Sequence, residues 1–162
     1  MRRHGRRKPC NTRRNAPVFR LGEEPVAVLG DYPAMMRKRV LCVEDNDSNM
    51  RLVSRIVEAE KHEFLRAADG QAALDVIRSQ RPDLVLLDIN IPGVDGLEIA
   101  RRLKGDSTLA SIPVVATTAN VLVGDRERCL EAGCDEYLPK PLDVRELQGI
   151  LRAYLGQPNH RR

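Results

Sequence analysis

Four consecutive apolar residues, Leu84-Val85-Leu86-Leu87, run without helical period into Asp88, and the turn-forming Pro92-Gly93 comes soon after. A run of this kind reads as a strand buried on both faces, the pattern of a parallel sheet covered by helices. The aspartate ends the run where the strand surfaces. In an open α/β sheet, the edge beyond the strand carboxyl ends is where ligands bind. Asp88 is therefore placed like a working residue, although a carboxylate that merely caps the next turn would leave the same local pattern.

The rest of the chain repeats this grammar. Arg39–Val43 reads as a first strand, and Ser48–Glu60 as a helix with Asn49, Val53 and Ile56 on one face and Asp47 available to cap it. Glu63–Ala67 is a second, weaker strand. Gln71–Ser79 comes next as a helix with a buried stripe of Ala73, Val76 and Ile77, closed by Pro82. After the Asp88 strand, Asp95-Gly96-Leu97-Glu98 opens a third helix that runs to about Lys104. Ile112–Thr117 is the fourth strand, about Gly124–Ala132 a helix stopped by Gly133, and Asp135–Lys140 the fifth strand. Asp143 starts a last helix with Val144, Leu147, Leu151 and Tyr154 at helical spacing. Five βα units predict one parallel sheet wrapped by helices on both faces.

Aromatic residues make up 3% of the chain, so the core must be aliphatic. No apolar run is long enough to cross a membrane. Cys10, Cys42, Cys129 and Cys134 have neither the close pairing nor the His partners of a zinc site. Cys42 reads as a small core residue, nothing argues for disulfides, and a reducing cytoplasm is the simplest compartment.

The formal net charge of +4 is unevenly shared. Residues 1–36 hold eight Lys/Arg against three Asp/Glu, whereas the remainder holds nineteen against twenty. Segment 1–36 is too poor in apolar residues to fold and is expected to be disordered. It lacks the apolar stretch of a secretory signal. Met35-Met36, just before the first strand, stands where a natural start would. The segment therefore reads as an over-extended start, an idle tail or a functional arm. A basic arm attracts phosphate, which leaves nucleic-acid binding as one alternative, but no aromatic residues are interleaved for base stacking.

At the strand ends stand Glu44-Asp45, Asp88, Thr117-Thr118 and Lys140. Parallel strands bring all of these to one edge. Three carboxylates crowded together repel one another, and a hard divalent cation with oxygen ligands relieves that repulsion. A lysine and a hydroxyl beside them can hold an incoming phosphoryl group. Singly, these residues are a loop acid pair, a β-branched strand residue and a surface lysine. Jointly they are the equipment for phosphoryl transfer to a carboxylate, which depends on positioning and charge neutralisation.

Val43-Glu44-Asp45-Asn46, Ala67-Ala68-Asp69-Gly70-Gln71-Ala72-Ala73-Leu74, Asp88 to Gly96, Ile112 to Ala119 and Tyr137-Leu138-Pro139-Lys140-Pro141-Leu142 resemble the signature blocks of bacterial response-regulator receiver domains. The resemblance covers about Arg37 to Leu155 and looks most like the single-domain regulators of phosphorelays and cell-cycle control. It implies a flavodoxin-like, doubly wound (βα)5 fold with strand order 2-1-3-4-5, set in a domain of residues 37–156 between the tails 1–36 and 157–162. It implies phosphorylation at Asp88, with Thr118 and Lys140 acting on the phosphoryl group. Mg2+ is implied as cofactor, held by Glu44, Asp45, Asp88 and the backbone carbonyl of Asn90, with Asp45 the direct ligand and Glu44 acting through water. Thr118, with the small Ala119 after it, matches the switch hydroxyl, and Tyr137 the aromatic that changes rotamer with it. Glu44 stands where aspartate is more usual, and Ile91 and Val94 stand where methionine is frequent. The Lys140-Pro141 bond matches a cis peptide of the family, and Pro139 is tolerated because strand five is an edge.

The stretch from Gly156 to Arg162, beyond the fifth helix, is too short for a DNA-binding domain, so output is expected from the receiver surface itself. The implied partners are a histidine kinase or histidine phosphotransfer protein and a downstream protein target, with a phosphorylation-dependent dimer as a further form of output. The chain is thus expected to be a switch and not an enzyme. Two other readings compete: a phosphatase forming an aspartyl-phosphate, and a binding module indifferent to phosphorylation. The phosphatase chemistry wants an acid two residues after its nucleophile, where this chain has Asn90.

Overall fold

The computed structural model describes residues 37–119 and 124–156; the expectations for segments 1–36 and 157–162 lie outside the described residues. Strands β1 (Arg39–Val43), β2 (Glu63–Ala67), β3 (Leu84–Asp88), β4 (Val114–Thr118) and β5 (Glu136–Pro139) form one sheet in the order β2-β1-β3-β4-β5. Every pairing is parallel. Helices α1 (Asp47–Ala59), α2 (Gly70–Gln80), α3 (Gly96–Gly105), α4 (Asp125–Glu131) and α5 (Val144–Leu155) alternate with the strands. This is the expected flavodoxin-like arrangement.

The period of two in β3 divides its side chains between two cores. Val85 and Leu87 join Leu41, Val43, Val114 and Ala116 under α2, α3 and α4. Leu84 and Leu86 join Val40, Cys42, Val115 and Leu138 under α1 and α5. All five residues of β3 are buried, which is why its sequence shows no alternation. Cys42, Cys129 and Cys134 are free and buried. Burial, reinforced by nearby Glu44, pushes the Cys42 thiol up to about 12, so it is an inert core residue. Among the described residues no helix is long and apolar enough to cross a membrane.

Several local details differ from expectation. Asn46, not Asp47, caps α1: its side chain accepts from the Ser48 and Asn49 amides at 2.9 and 3.1 Å. Asp47 instead lies in the first turn, where a carboxylate favours the helix dipole. Strand β4 begins two residues later than expected because Pro113 has no N–H to give a ladder, although its carbonyl accepts from Val85. In α2, Leu74 is buried and Val76 only half-buried. In α5, Leu147 and Leu151 are buried while Val144 and Tyr154 face outward. Two others agree with expectation: the Lys140-Pro141 bond is cis, and Pro139 lies on an edge strand.

Gly96 sets how closely α3 approaches the end of β3. A Cβ there would stand 2.6 Å from the Ile89 Cα and 2.7 Å from the Asp88 carbonyl oxygen, both backbone atoms that cannot swing aside. Gly96→Ala is expected to destabilise the domain by about 1–3 kcal/mol, the usual cost of overpacking. Gly149, within α5, has nothing within 4 Å of its would-be Cβ. Gly149→Ala is expected to stabilise by about 0.5–1 kcal/mol through helix propensity. Urea unfolding of the two variants checks both signs, and a Gly96→Ala protein as stable as its parent would refute the first.

Candidate functional site

The order and direction of the strands carry Glu44 and Asp45 (after β1), Asp88 (end of β3), Thr118 (end of β4) and Lys140 (after β5) to the same edge of the sheet. Lys140 joins them. Its Nζ donates to Glu44 Oε2 at 2.6 Å and to Asp88 Oδ2 at 2.7 Å. The three side chains are nearly enclosed, with 13% of the lysine and 4% and 5% of the two carboxylates exposed. Burial by itself disfavours the ammonium. The hydrogen bonds and charges of Asp88 and Glu44 outweigh it, and Lys140 is held above its ordinary value of 10.5. It is therefore a permanent cation at neutral pH.

Carboxylate oxygens of Glu44, Asp45 and Asp88 lie within 4.8 Å of one another, and Asp45 is exposed. Three carboxylates and one ammonium leave two negative charges. An all-oxygen donor set with that residual charge fits a hard divalent cation, with Asp45 open to solvent for its entry. Sequence reasoning anticipated this gathering of acids, but not what fixes them. Glu44 Oε1 accepts from the Asn46 amide at 3.1 Å and Oε2 from Asn49 Nδ2 at 3.2 Å. One asparagine thus caps α1 while its own N–H holds Glu44, and a second reaches back from the first turn. The Asx-cap preference was a usable signal for Asn46; Asn49 looked like an ordinary helix-face residue.

Asp88 Oδ1 accepts from the Asn90 amide at 2.9 Å. The side chain of Asn90, unassigned by the sequence reading, donates from Nδ2 to Thr118 Oγ1 at 3.0 Å. Thr118 is fully buried, and its carbonyl accepts from the Lys140 amide, which ties the two strand ends together. Thr117 pairs with Asp88 across the ladder, and its carbonyl holds the Ile89 amide. Tyr137 lies in β5 opposite Ala116 and packs on the core shared with α2, α3 and α4. Burial, with Asp125 and Cys129 nearby, holds its phenol above the ordinary value. The arrangement is a buried carboxylate, Asp88, flanked by a fixed cation and by an acid group suited to a metal, with a hydroxyl on the neighbouring strand.

Residues 40–152 match the model of the response regulator receiver domain. The chain is similar to the polar-differentiation response regulator DivK of Brucella anthropi, with 45% identity over 121 residues, covering 75% of this chain and 98% of the relative. The relative is thus almost wholly accounted for by the matched region. The fold is similar to the receiver domain of the sensor histidine kinase PA1611 from Pseudomonas aeruginosa PAO1, solved with a magnesium ion coordinated in its active site cleft. That comparison has a TM-score of 0.68 and 36% identity, covering 75% of this chain and 99% of the other. It is also similar to the phosphorylated cyanobacterial phytochrome response regulator RcpA, with a TM-score of 0.67 and 30% identity, covering 74% of this chain and 94% of the other.

Proposed function

The chain belongs to the response-regulator receiver family, and we propose that it acts there as a phosphoryl acceptor and switch, with Asp88 taking the group from a histidine kinase or histidine phosphotransfer protein. The observation that carries this reading is the Lys140 ammonium held between Asp88 and Glu44 at 2.7 and 2.6 Å. Such a cation is placed to meet the oxygens of a phosphoryl group arriving at Asp88.

In the proposed step an Asp88 carboxylate oxygen attacks phosphorus. Its new P–O bond forms as the P–N bond to the donor histidine breaks, and the departing imidazole keeps the electron pair and takes up a proton. Lys140 neutralises charge on the equatorial oxygens, and the Thr118 hydroxyl donates to one of them. Glu44, Asp45, Asp88 and the Asn90 carbonyl would hold Mg2+, which when bound supplies charge neutralisation and orients the phosphoryl oxygens. Asn49 positions Glu44 for that ion, so Asn49→Ala is expected to weaken Mg2+ binding by about ten- to a hundredfold. Calorimetric titration reads this, and an unchanged affinity removes Asn49 from the site.

Movement of Thr118 toward the phosphoryl group, with Tyr137 moving after it, would alter the surface formed by α4, β5 and α5. Its affinity for a downstream protein, or for a second phosphorylated copy, is the output in this reading, set in the cytoplasm. No phosphoester is turned over for its own sake. Incubation with a small acyl phosphate and Mg2+, then borohydride trapping and peptide mapping, tests the assignment. One phosphoryl group on Asp88 is the expected result; no label, or label elsewhere, overturns it.

A further inference from the structure

We propose that Asn90 is a two-ended latch that keeps Thr118 in its resting position until Asp88 is phosphorylated. The inference rests on the phosphoryl-acceptor reading and assigns a regulatory role to a side chain at that same site. Asn90 touches both groups that must communicate. Its backbone N–H donates to Asp88 Oδ1 at 2.9 Å, and its side-chain amide donates to Thr118 Oγ1 at 3.0 Å.

The surroundings suit a latch. The preceding residue is pinned on both sides, since the Ile89 amide donates to the Thr117 carbonyl and the Ile89 carbonyl accepts from Gly96. Asn90 therefore sits on a turn whose base is fixed while the residue itself is exposed. Thr118 is fully buried. An exposed amide that lets go of a hydroxyl is rehydrated at little cost, so the bond restrains Thr118 without locking it. Phosphorylation of Asp88 brings charged oxygens within reach of the Thr118 hydroxyl, and a charged acceptor draws a donor roughly twice as strongly as a neutral partner does. Thr118 then leaves the Asn90 side chain and turns its hydroxyl to the phosphoryl group, while the Asn90 backbone stays at the site.

The test uses the full chain, beryllofluoride with Mg2+ as the phosphoryl probe, and methyl NMR of Thr118. In Asn90→Ala the resting Thr118 methyl signal is expected to move toward its beryllofluoride-bound position. Beryllofluoride should bind about two- to tenfold more tightly, the range that loss of one neutral hydrogen bond supports. In a Thr118→Val background the same substitution should have no further effect on that affinity, because the bond is already gone. An unmoved methyl signal, or effects that simply add in the double variant, overturns the latch. Acyl-phosphate labelling of Asp88 in the wild type separates the two ideas. Failure to label overturns the acceptor reading, while the resting methyl comparison still decides whether Asn90 holds Thr118.

Discussion

Asp88→Asn is expected to abolish phosphoryl uptake, lowering acyl-phosphate labelling by roughly a thousandfold or more, the scale on which loss of a nucleophile acts. The substitution keeps the volume of the side chain, so it changes the charge of the site and not its packing. The amide oxygen can still accept from Asn90, now at 2.9 Å, but the amide NH2 would face the Lys140 ammonium, now at 2.7 Å from Asp88 Oδ2. Two donors then oppose each other, and Lys140 is left to Glu44 alone. Intact-mass analysis after incubation with acyl phosphate and Mg2+ reads the outcome. Undiminished labelling of the variant would mean that another group is the acceptor.

Lys140→Ala should have the largest effect on stability. It strips the cation from two buried carboxylates, and removing one partner of a buried ion pair costs about 3–5 kcal/mol because the remaining charge is uncompensated. The raised value of Lys140 fixes the conditions. A base that binds its proton more tightly when folded contributes fully below its unfolded value, and the contribution fades only as pH climbs past the folded one. Neutral pH therefore shows the whole effect. Millimolar Mg2+ should restore part of the loss, since an ion that binds only the folded state stabilises it by mass action. Urea unfolding with and without Mg2+ checks both parts, and a variant as stable as wild type in the absence of Mg2+ would show that Lys140 does not neutralise this cluster.

The sheet was legible because hydrophobic pattern decides it. Leu84 to Leu87 read as a doubly covered strand, and five alternating strand and helix units admit few arrangements. The convergence of Glu44, Asp45, Asp88, Thr118 and Lys140 was legible for the same reason, since parallel strands present their carboxyl ends together. The hidden details were those set by tertiary geometry, which a linear pattern does not carry. Asn46 and Asp47 are both good caps, and which one serves depends on where the chain leaves β1. Asn49 and Asn90 are short polar residues of the kind that fill turns anywhere; only the folded distances show that one grips Glu44 and the other Thr118. Helix α5 offered Val144 and Tyr154 at core spacing, yet both are partly exposed while Leu147 and Leu151 fill the core.

The central claim is that acids, hydroxyl and ammonium from four strands serve one phosphoryl group on Asp88. A crystal structure of the chain with beryllofluoride and Mg2+ tests it most directly. The fluoride adduct is expected on Asp88, within hydrogen-bond distance of Thr118 Oγ1 and Lys140 Nζ, with the ion on Glu44, Asp45 and Asp88. An adduct on another carboxylate, or one that neither Thr118 nor Lys140 reaches, would contradict it.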